Sequence, residues 1–432
     1  MKRLSHLPLA SLHRVFSTTS NLHSRVSGNG GALEGVKIID LTRALAGPYC
    51  TQILADYGAD VIKVEQPGKG DDSRHWKSAG EADKWKDRDG MSYYFASTNR
   101  NKRSITVDIK KEKGRQILMD LIKQSDILVD NFIPGKMEEF GLGFDTISKL
   151  HPSLIQASIS GYGPSGPYSR RGGYDLIAGA EGGLLHITGE TDGPPTKPGI
   201  SIIDVCTGLY MHGAIIAALE ARHRTGRGQK VDASLFETQV SMLMNLAASY
   251  LNMGQEAKRW GTGHPSIVPY EAFPTRDSYL IVGATNNRQF SALTDLLDDS
   301  ALAKDERFTD NALRVKNRSE LKRILSDHFR TKTTNAWLKK FTDSGITHAP
   351  INNIEGAMTH PQIEARNMIK SFQHDAAVNG EIKVVGIPVK FGDTPGSIRQ
   401  KPPLLGEHTE SILKELGESQ AIISQLREEG VI

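Results

Sequence analysis

The sequence predicts an α/β fold organised on a parallel sheet. Two observations carry the expectation. Between residues 36 and 159, short apolar runs alternate with helical patterns, and that alternation builds parallel sheets covered by helices on both faces. At 432 residues the chain is also long enough for two domains, each with a sizeable core.

The elements follow in order. Residues 36–41, Val-Lys-Ile-Ile-Asp-Leu, read as the first strand, Thr42 to Gly47 as a loop and 48–57 as a short helix. Residues 60–65 make a second strand. A polar, Gly-rich loop with Lys69, Asp71, Asp72 and Arg74 then runs to about residue 90. Further strands are expected at 104–108, 126–130 and 154–159, with a helix over 111–124. Ligands of such sheets bind at the carboxyl ends of the strands, so the loops after Leu41, Glu65, Asp108 and Asp130 are candidate binding loops. Residues 161–200 are dense in Gly and Pro, which suits close approach of main chain to a ligand. A long helix follows, with Asp204 as its expected N-cap and Gly226 and Gly228 as its stop. Val205, Leu209, Ile216 and Leu219 are its apolar positions, with small Gly208 and Gly213 allowing close packing. Beyond it come a strand at 230–236, a helix at 237–253, a Gly loop at 261–265, a strand at 279–283 and charged surface helices over 303–343. A strand at 382–391 is expected to rejoin the first sheet, and a last helix to start near His408 or Thr409.

Composition narrows the function. An apolar content of 38% and a charged content of 24% are ordinary for a soluble globular protein. A net charge of +3 gives no reason to expect a nucleic-acid partner. No apolar run approaches the ~20 residues of a membrane span, so no membrane partner is expected. Cys50 and Cys206 are the only cysteines, which make neither a disulfide framework nor a metal site. The place of a G-x-G-x-x-G after the first strand is taken by Leu-Thr-Arg-Ala-Leu-Ala-Gly-Pro, which disfavours a nicotinamide or flavin dinucleotide. P-loop, H-E-x-x-H and G-x-S-x-G motifs are also missing. What remains is a nucleotide-type fold for another phosphate-bearing ligand.

The first segment differs from the rest. Residues 1–33 contain no acid, and Lys2, Arg3, Arg14 and Arg25 are interleaved with Ser, Thr, Leu and Phe16. Basic, Ser-rich, acid-poor composition is that of a mitochondrial transit peptide, so 1–33 are excluded from the expected fold and a matrix location is expected.

Asp204 is the only acid in its loop. An ionised carboxylate at a helix N-terminus can cap the helix or attack an electrophile. On spacing alone capping is favoured, because Asp is among the commonest N-caps.

Seven blocks in one order carry a resemblance: Asp40-Leu-Thr-Arg-Ala-Leu-Ala-Gly-Pro48, Gly58-Ala-Asp-Val-Ile-Lys-Val-Glu65, Asn101-Lys-Arg-Ser-Ile105, Asp130-Asn-Phe132, Gly173-Tyr-Asp-Leu-Ile177, Thr225-Gly-Arg-Gly-Gln229 and Pro403-Leu-Leu-Gly-Glu-His-Thr409. Over residues 34–415 the chain resembles the class III CoA-transferases, and within them the members that use succinyl-CoA and glutarate. The resemblance implies a Rossmann-like large domain formed by both ends of the chain, a smaller α/β domain from its middle and an interlocked homodimer. The expected division is 34–235 for the first part of the large domain, 236–371 for linkers and small domain, and 372–432 for the return to the large domain. Coenzyme A esters are then substrates, and no tightly bound cofactor or metal is expected.

The resemblance places the family's nucleophile at Asp204 and its covering glycine loop at Gly261, Thr262 and Gly263, with Thr262 where some members have glycine. It places CoA contacts at Arg43, Leu45, Ala46, Gln66, Val107, Lys110, Asn131, Phe132 and Tyr174. Formyl- and oxalate-handling members have a glutamine where this chain has Leu45 and an arginine where it has Glu139. The first departure points to an acid with an alkyl spacer, such as glutarate or hydroxymethylglutarate. Arg103 and Arg171 are candidates for its far carboxylate. Two alternatives stand beside this. A 2-methylacyl-CoA racemase would have His-Asp where this chain has Tyr174-Asp175, with His186 and His212 as weak substitutes, and a non-catalytic CoA-ester-binding protein would not need Asp204.

The leader generates the first prediction. A reporter carrying residues 1–33 should enter mitochondria and be processed before Leu33; cytosolic retention of the fusion would remove the targeting reading.

Overall fold

The computed structural model describes residues 30–86 and 90–432. The leader expectation falls on residues 1–29, outside the described residues, except at its end. Leu33 belongs to the fold: its N–H donates to the Tyr57 carbonyl at 2.8 Å and its side chain packs on the core.

Six strands form one parallel sheet: β1 (Lys37–Asp40), β2 (Asp60–Glu65), β3 (Lys102–Thr106), β4 (Ile127–Asp130), β5 (Ile155–Ser160) and β6 (Lys230–Ser234). Their order in space is β3-β2-β1-β4-β5-β6. The chain runs outward from β1 to β3, then crosses back to β4 on the other side of β1. Such a reversal opens a crevice at the carboxyl ends of β1 and β4, where open parallel sheets bind their ligands. β1 is internal, with Ile38 paired to Val61 on one side and Ile127 on the other. That is why its residues are apolar without alternation: both faces are covered.

One face packs Ile38, Val61, Val129, Ile155 and Ile159 against the helices Ala46–Asp56 and Ile202–Thr225. The other packs Ile39, Ile105 and Leu128 against Ile117, Leu118 and Leu121 of the helix Glu112–Lys123, and against Ile412 and Ile423 near the C-terminus. A separate cluster from Val268 to Ile346 surrounds a three-stranded sheet of β7 (Tyr270–Pro274), β8 (Tyr279–Gly283) and β9 (Thr347–Pro350).

Four expectations need correction. The strand expected at 382–391 does not rejoin the first sheet: β11 (Glu381–Val385) pairs antiparallel with β10 (Ile369–Gln373) in a sheet of two. Ile382 belongs to a small cluster with Trp85 and Phe95, Val384 is buried, and Gly386 and Pro388 end the strand. The strand expected at 104–108 begins two residues earlier, because Lys102 and Arg103 already pair with β2. The helix expected to begin at 237 begins at Leu235, capped by the Ser234 hydroxyl, and a second helix takes over at Met244. The helix Ile202–Thr225 is long and apolar enough to cross a membrane by composition, contrary to the reading of the sequence. Here its residues Ile203, Met211, Ile215 and Leu219 lie buried on the sheet.

That helix meets the helix Ala46–Asp56 closely at Gly208, where a Cβ would stand 2.7 Å from the Ala46 carbonyl oxygen. Backbone cannot give way as a side-chain tip can. Gly208→Ala should therefore lower stability by about 1–3 kcal/mol in urea unfolding; an unchanged midpoint would contradict this packing.

Candidate active site

The first binding loop is set from beneath by buried charges. Asp40, at the end of β1, accepts the Thr42 N–H at 2.9 Å and pairs with Lys102 at 3.0 Å. Lys63 of β2 donates to the Thr42 carbonyl at 2.8 Å and to Asp71 at 2.9 Å. Asp71 in turn accepts the Ala44 N–H at 3.1 Å. From β4, the Asn131 side chain accepts the Arg43 N–H at 3.0 Å and donates to the Arg43 carbonyl at 2.8 Å. Ala44 is thereby held at φ +68°, a left-handed conformation that L-residues rarely adopt. Burial pushes the Asp40 carboxyl up, but Lys102 and Lys63 outweigh it and hold the group ionised, well below the ordinary range.

This loop forms one wall of a cavity of about 890 Å³ at the switch point. Arg43, Leu45, Ala46, Gln66, Val107, Lys110, Asn131, Phe132, Tyr174 and Asp204 all line it. They come from the ends of β1, β2, β3 and β4, from the Gly-rich 161–200 region and from the 202–225 helix. Apolar Leu45, Val107 and Phe132 alternate with cationic Arg43, Lys110 and Lys136, a lining suited to a ligand with both an acyl arm and phosphates.

Asp204 is not the N-cap that its spacing predicts. Ser201 holds that position, and Asp204 is the third residue of the helix. The capping is done from elsewhere. Asp175, first residue of the helix Asp175–Glu181, accepts the Ile203 N–H at 2.8 Å and the Asp204 N–H at 3.2 Å. Among the described residues no hydrogen bond reaches the Asp204 carboxylate. Burial first, and then the negative charge of Asp175, push it up to about 7. A half-buried carboxylate with no positive partner, aimed into a cavity, is a group available as nucleophile or base.

Two aromatic residues near it went unnoticed in the sequence. Trp76 lines the cavity and packs edge-on to Tyr94, with ring centroids 5.1 Å apart. The Tyr94 phenol is pushed up by burial and then by the Asp204 charge. Trp76 follows the single turn Asp72–His75 and Tyr94 lies in the short helix Tyr93–Thr98, segments too short for sequence pattern to show a face or period. The spacing of the two rings, 18 residues apart, carries no signal of its own.

Other singled-out residues lie elsewhere. Gly261, Thr262 and Gly263 do not line this cavity. Gly261 donates its N–H to the Gly189 carbonyl at 2.9 Å, and the Thr262 hydroxyl accepts the Ala272 N–H of β7 at 3.0 Å. Arg103 is taken by Asp60 and Glu415, both at 2.7 Å, on the far side of β3, and so is no candidate for a carboxylate in the cavity. Arg171 lines the cavity but pairs with Glu181 at 2.9 Å. Glu139 pairs with Lys136, and His186 and His212 lie outside the cavity. Among the described residues no group of His, Cys, Asp and Glu is arranged to hold a metal.

A profile of CoA-transferase family III matches residues 33–409. The chain belongs to that family. It is 54% identical over 97% of its length to an acyl-CoA transferase of Fusarium pseudograminearum, covering 92% of that protein. It is 45% identical over 93% of its length to the succinyl-CoA:glutarate CoA-transferase of Homo sapiens, covering 90% of it. A crystal structure of a CaiB/BaiF family protein from Brucella suis superposes with a TM-score of 0.80 at 37% identity, over 90% of this chain and all of that one. The expected α/β fold and family membership are thus borne out.

For this family III member, the raised Asp204 carboxyl has a consequence for stability. Its folded value lies above the ordinary 3.8, so between pH 4 and 7 the folded state holds more of this proton than the unfolded one. Stability therefore falls as pH rises through that window. Asp204→Asn removes the penalty and should raise Tm by roughly 2 °C at pH 8, with the gain vanishing near pH 4. A variant less stable than wild type at pH 8 would contradict the electrostatic reading.

Proposed function

We propose that the chain moves CoA from succinyl-CoA to a dicarboxylic acid, with glutarate the leading acceptor and hydroxymethylglutarate a second. The observation that carries the reading is the unpartnered Asp204 carboxylate at the cavity, in a chain 45% identical to a succinyl-CoA:glutarate CoA-transferase.

Transfer between two carboxylic acids suits a carboxylate nucleophile, because each intermediate is then an anhydride or a thioester and the acyl group stays activated throughout. Asp204 attacks the thioester carbon of succinyl-CoA and expels CoA thiolate, leaving an aspartyl–succinyl anhydride. The thiolate attacks the aspartyl carbon, succinate leaves and an aspartyl-CoA thioester remains. The acceptor carboxylate attacks that thioester and again expels thiolate. The thiolate then attacks the acceptor's acyl carbon, forming the new CoA ester and regenerating Asp204. Every tetrahedral intermediate needs oriented N–H donors for its oxyanion. Leu45 stands beside the reacting acyl chain, and Arg43 and Lys110 are the phosphate partners.

The same reading includes a homodimer and a mitochondrial matrix location. Met244, Leu251 and Met253 are 71%, 80% and 68% exposed in the single chain, a cluster of apolar side chains that water would not favour. A partner's Gly261–Gly263 loop would then be free to approach the cavity that its own chain's loop does not line. The division into 34–235, 236–371 and 372–432 belongs to this reading as well, supported by the separate core from Val268 to Ile346.

The racemase alternative is disfavoured by Tyr174 where a histidine would be needed, since alpha-proton exchange requires an acid and a base.

Asp204→Ala or Asp204→Asn should lower transfer from succinyl-CoA to glutarate by at least ~10³ while CoA still binds. Borohydride added during turnover should reduce the acylated residue, read as a mass change at Asp204. Glutarate and adipate should accept CoA well and butyrate and hexanoate poorly. A tenth of wild-type turnover left in the Asp204 variants would overturn the nucleophile, and equal use of monocarboxylates would overturn the dicarboxylate choice.

A further inference from the structure

The capping of the 202–225 helix from a different element has a catalytic meaning, which rests on Asp204 as the nucleophile. We propose that Asp175 is a positioning residue for Asp204: it caps the helix in its place and sets a second negative charge beside it, which keeps the nucleophile unneutralised and reactive.

A carboxylate in the first turn of a helix ordinarily gains from the free N–H groups and the dipole, by about 0.3–1 kcal/mol. Here the N–H groups of Ile203 and of Asp204 itself are spent on one oxygen of Asp175, at 2.8 and 3.2 Å. Asp204 thus keeps its place without being neutralised by its own helix. The groups around it add no positive charge. Asp175 faces it from the helix Asp175–Glu181, and Tyr94 faces it as a phenol from the helix Tyr93–Thr98. Cys206, two residues onward, has its own thiol pushed up by burial and by Asp175. Of the cavity's cations, Arg43 pairs with Asp72, Lys136 with Glu139 and Arg171 with Glu181, Lys110 lines it too, and among the described residues none of them pairs with Asp204.

Two facing carboxylates are worst off when both are ionised. That is the resting enzyme above neutral pH. When Asp204 attacks the thioester carbon, its charge leaves with the CoA thiolate, and Asp175 then faces an uncharged anhydride linkage. The repulsion is present before attack and gone after it. A more basic carboxylate is also the better nucleophile. Capping alone does not require this charge, because Asn or Ser caps a helix as well as Asp.

That equivalence separates a reactive role from a structural one. Asp175→Asn and Asp175→Ser keep an acceptor for the two N–H groups and remove the charge; Asp175→Glu keeps the charge. The reading is kcat/KM for succinyl-CoA with glutarate from about pH 5 to 9, with Tm for each variant. In wild type the ionised form is active, so activity falls as pH drops through about 7. In the neutral variants that midpoint should move down by roughly one pH unit. Their plateau at high pH should fall roughly threefold with Tm little changed. Asp175→Glu should keep the wild-type midpoint. Titrations of the CoA ester are common to all variants and cancel in the comparison. An unmoved midpoint in a folded neutral variant overturns the proposal, as does failure of both neutral variants to fold, which would make the charge structural. Failure of the nucleophile itself is recognised separately, by activity remaining in Asp204→Asn.

Discussion

Two buried lysines hold the ligand-binding edge of the sheet. Lys63 on β2 and Lys102 on β3 are wholly out of solvent, against Asp71 and Asp40. Such pairs are weak sources of stability, since desolvation consumes most of the Coulomb gain. Their effect here is on position. Lys63 fixes a carbonyl and Asp71 an N–H of the same short loop, and Asp40 fixes another N–H. With Asn131 clasping Arg43 from β4, the loop crosses the switch point in one conformation, with Ala44 left-handed. Burial pulls Lys102 down to about 8 even with Asp40 beside it, while at Lys63 burial is outweighed by Asp71 and Asp40, which push that amine up. Loss of one member would leave a buried charge alone, at a cost of about 3–5 kcal/mol.

Against that background Asp204 stands apart even from Asp130, which is buried without an ion pair among the described residues but accepts from the Ser158 hydroxyl and the Phe132 N–H. Glu65 is clamped by Arg74 and Asp56 by Arg100, each pair within 2.7 Å and almost fully buried. Asp71 and Asp40 have their lysines. The protein can neutralise a buried acid and does so repeatedly, but at the cavity it places a second acid instead. The contrast is a physical argument for function: a group left energetically exposed where the chain has the means to satisfy it is a group that reacts.

Much of this was readable in the sequence. The alternation of strands and helices is dictated by burial on both faces and needs no tertiary knowledge. The blocks at Asp40, Gly58 and Asp130 end their strands at the cavity, so the loops that follow them line it. Other blocks tie the chain together rather than bind. Asn101 holds the backbone of Ser397, Arg399 and Gln400, and Ser104 and Thr106 accept or donate to Gly406, His408 and Thr409. What stayed hidden depends on contacts between distant residues. The cap on the 202–225 helix comes from residue 175, and the partner of Arg103 from residue 415, and no local pattern encodes either. The ring pair Trp76–Tyr94 is likewise made by tertiary folding of an irregular segment.

The ion pairs at the cavity rim differ in kind from those beneath it. In Arg43–Asp72 the side chains are 49% and 36% exposed, and in Arg171–Glu181 46% and 36%. Lys136–Glu139 is as open. Exposed pairs of this sort contribute about 0–1 kcal/mol each. A phosphate or carboxylate arriving at the rim offers the same cation a partner of equal charge, with geometry at least as good. Exchange of Asp72 or Glu181 for the ligand then loses almost nothing, whereas the buried pairs of Arg74 and Arg100 could not be exchanged without leaving an acid unpaired in the core. Arg43, Lys136 and Arg171 are therefore available to anions although each is paired in the free chain, and exchanging their partners leaves the core undisturbed.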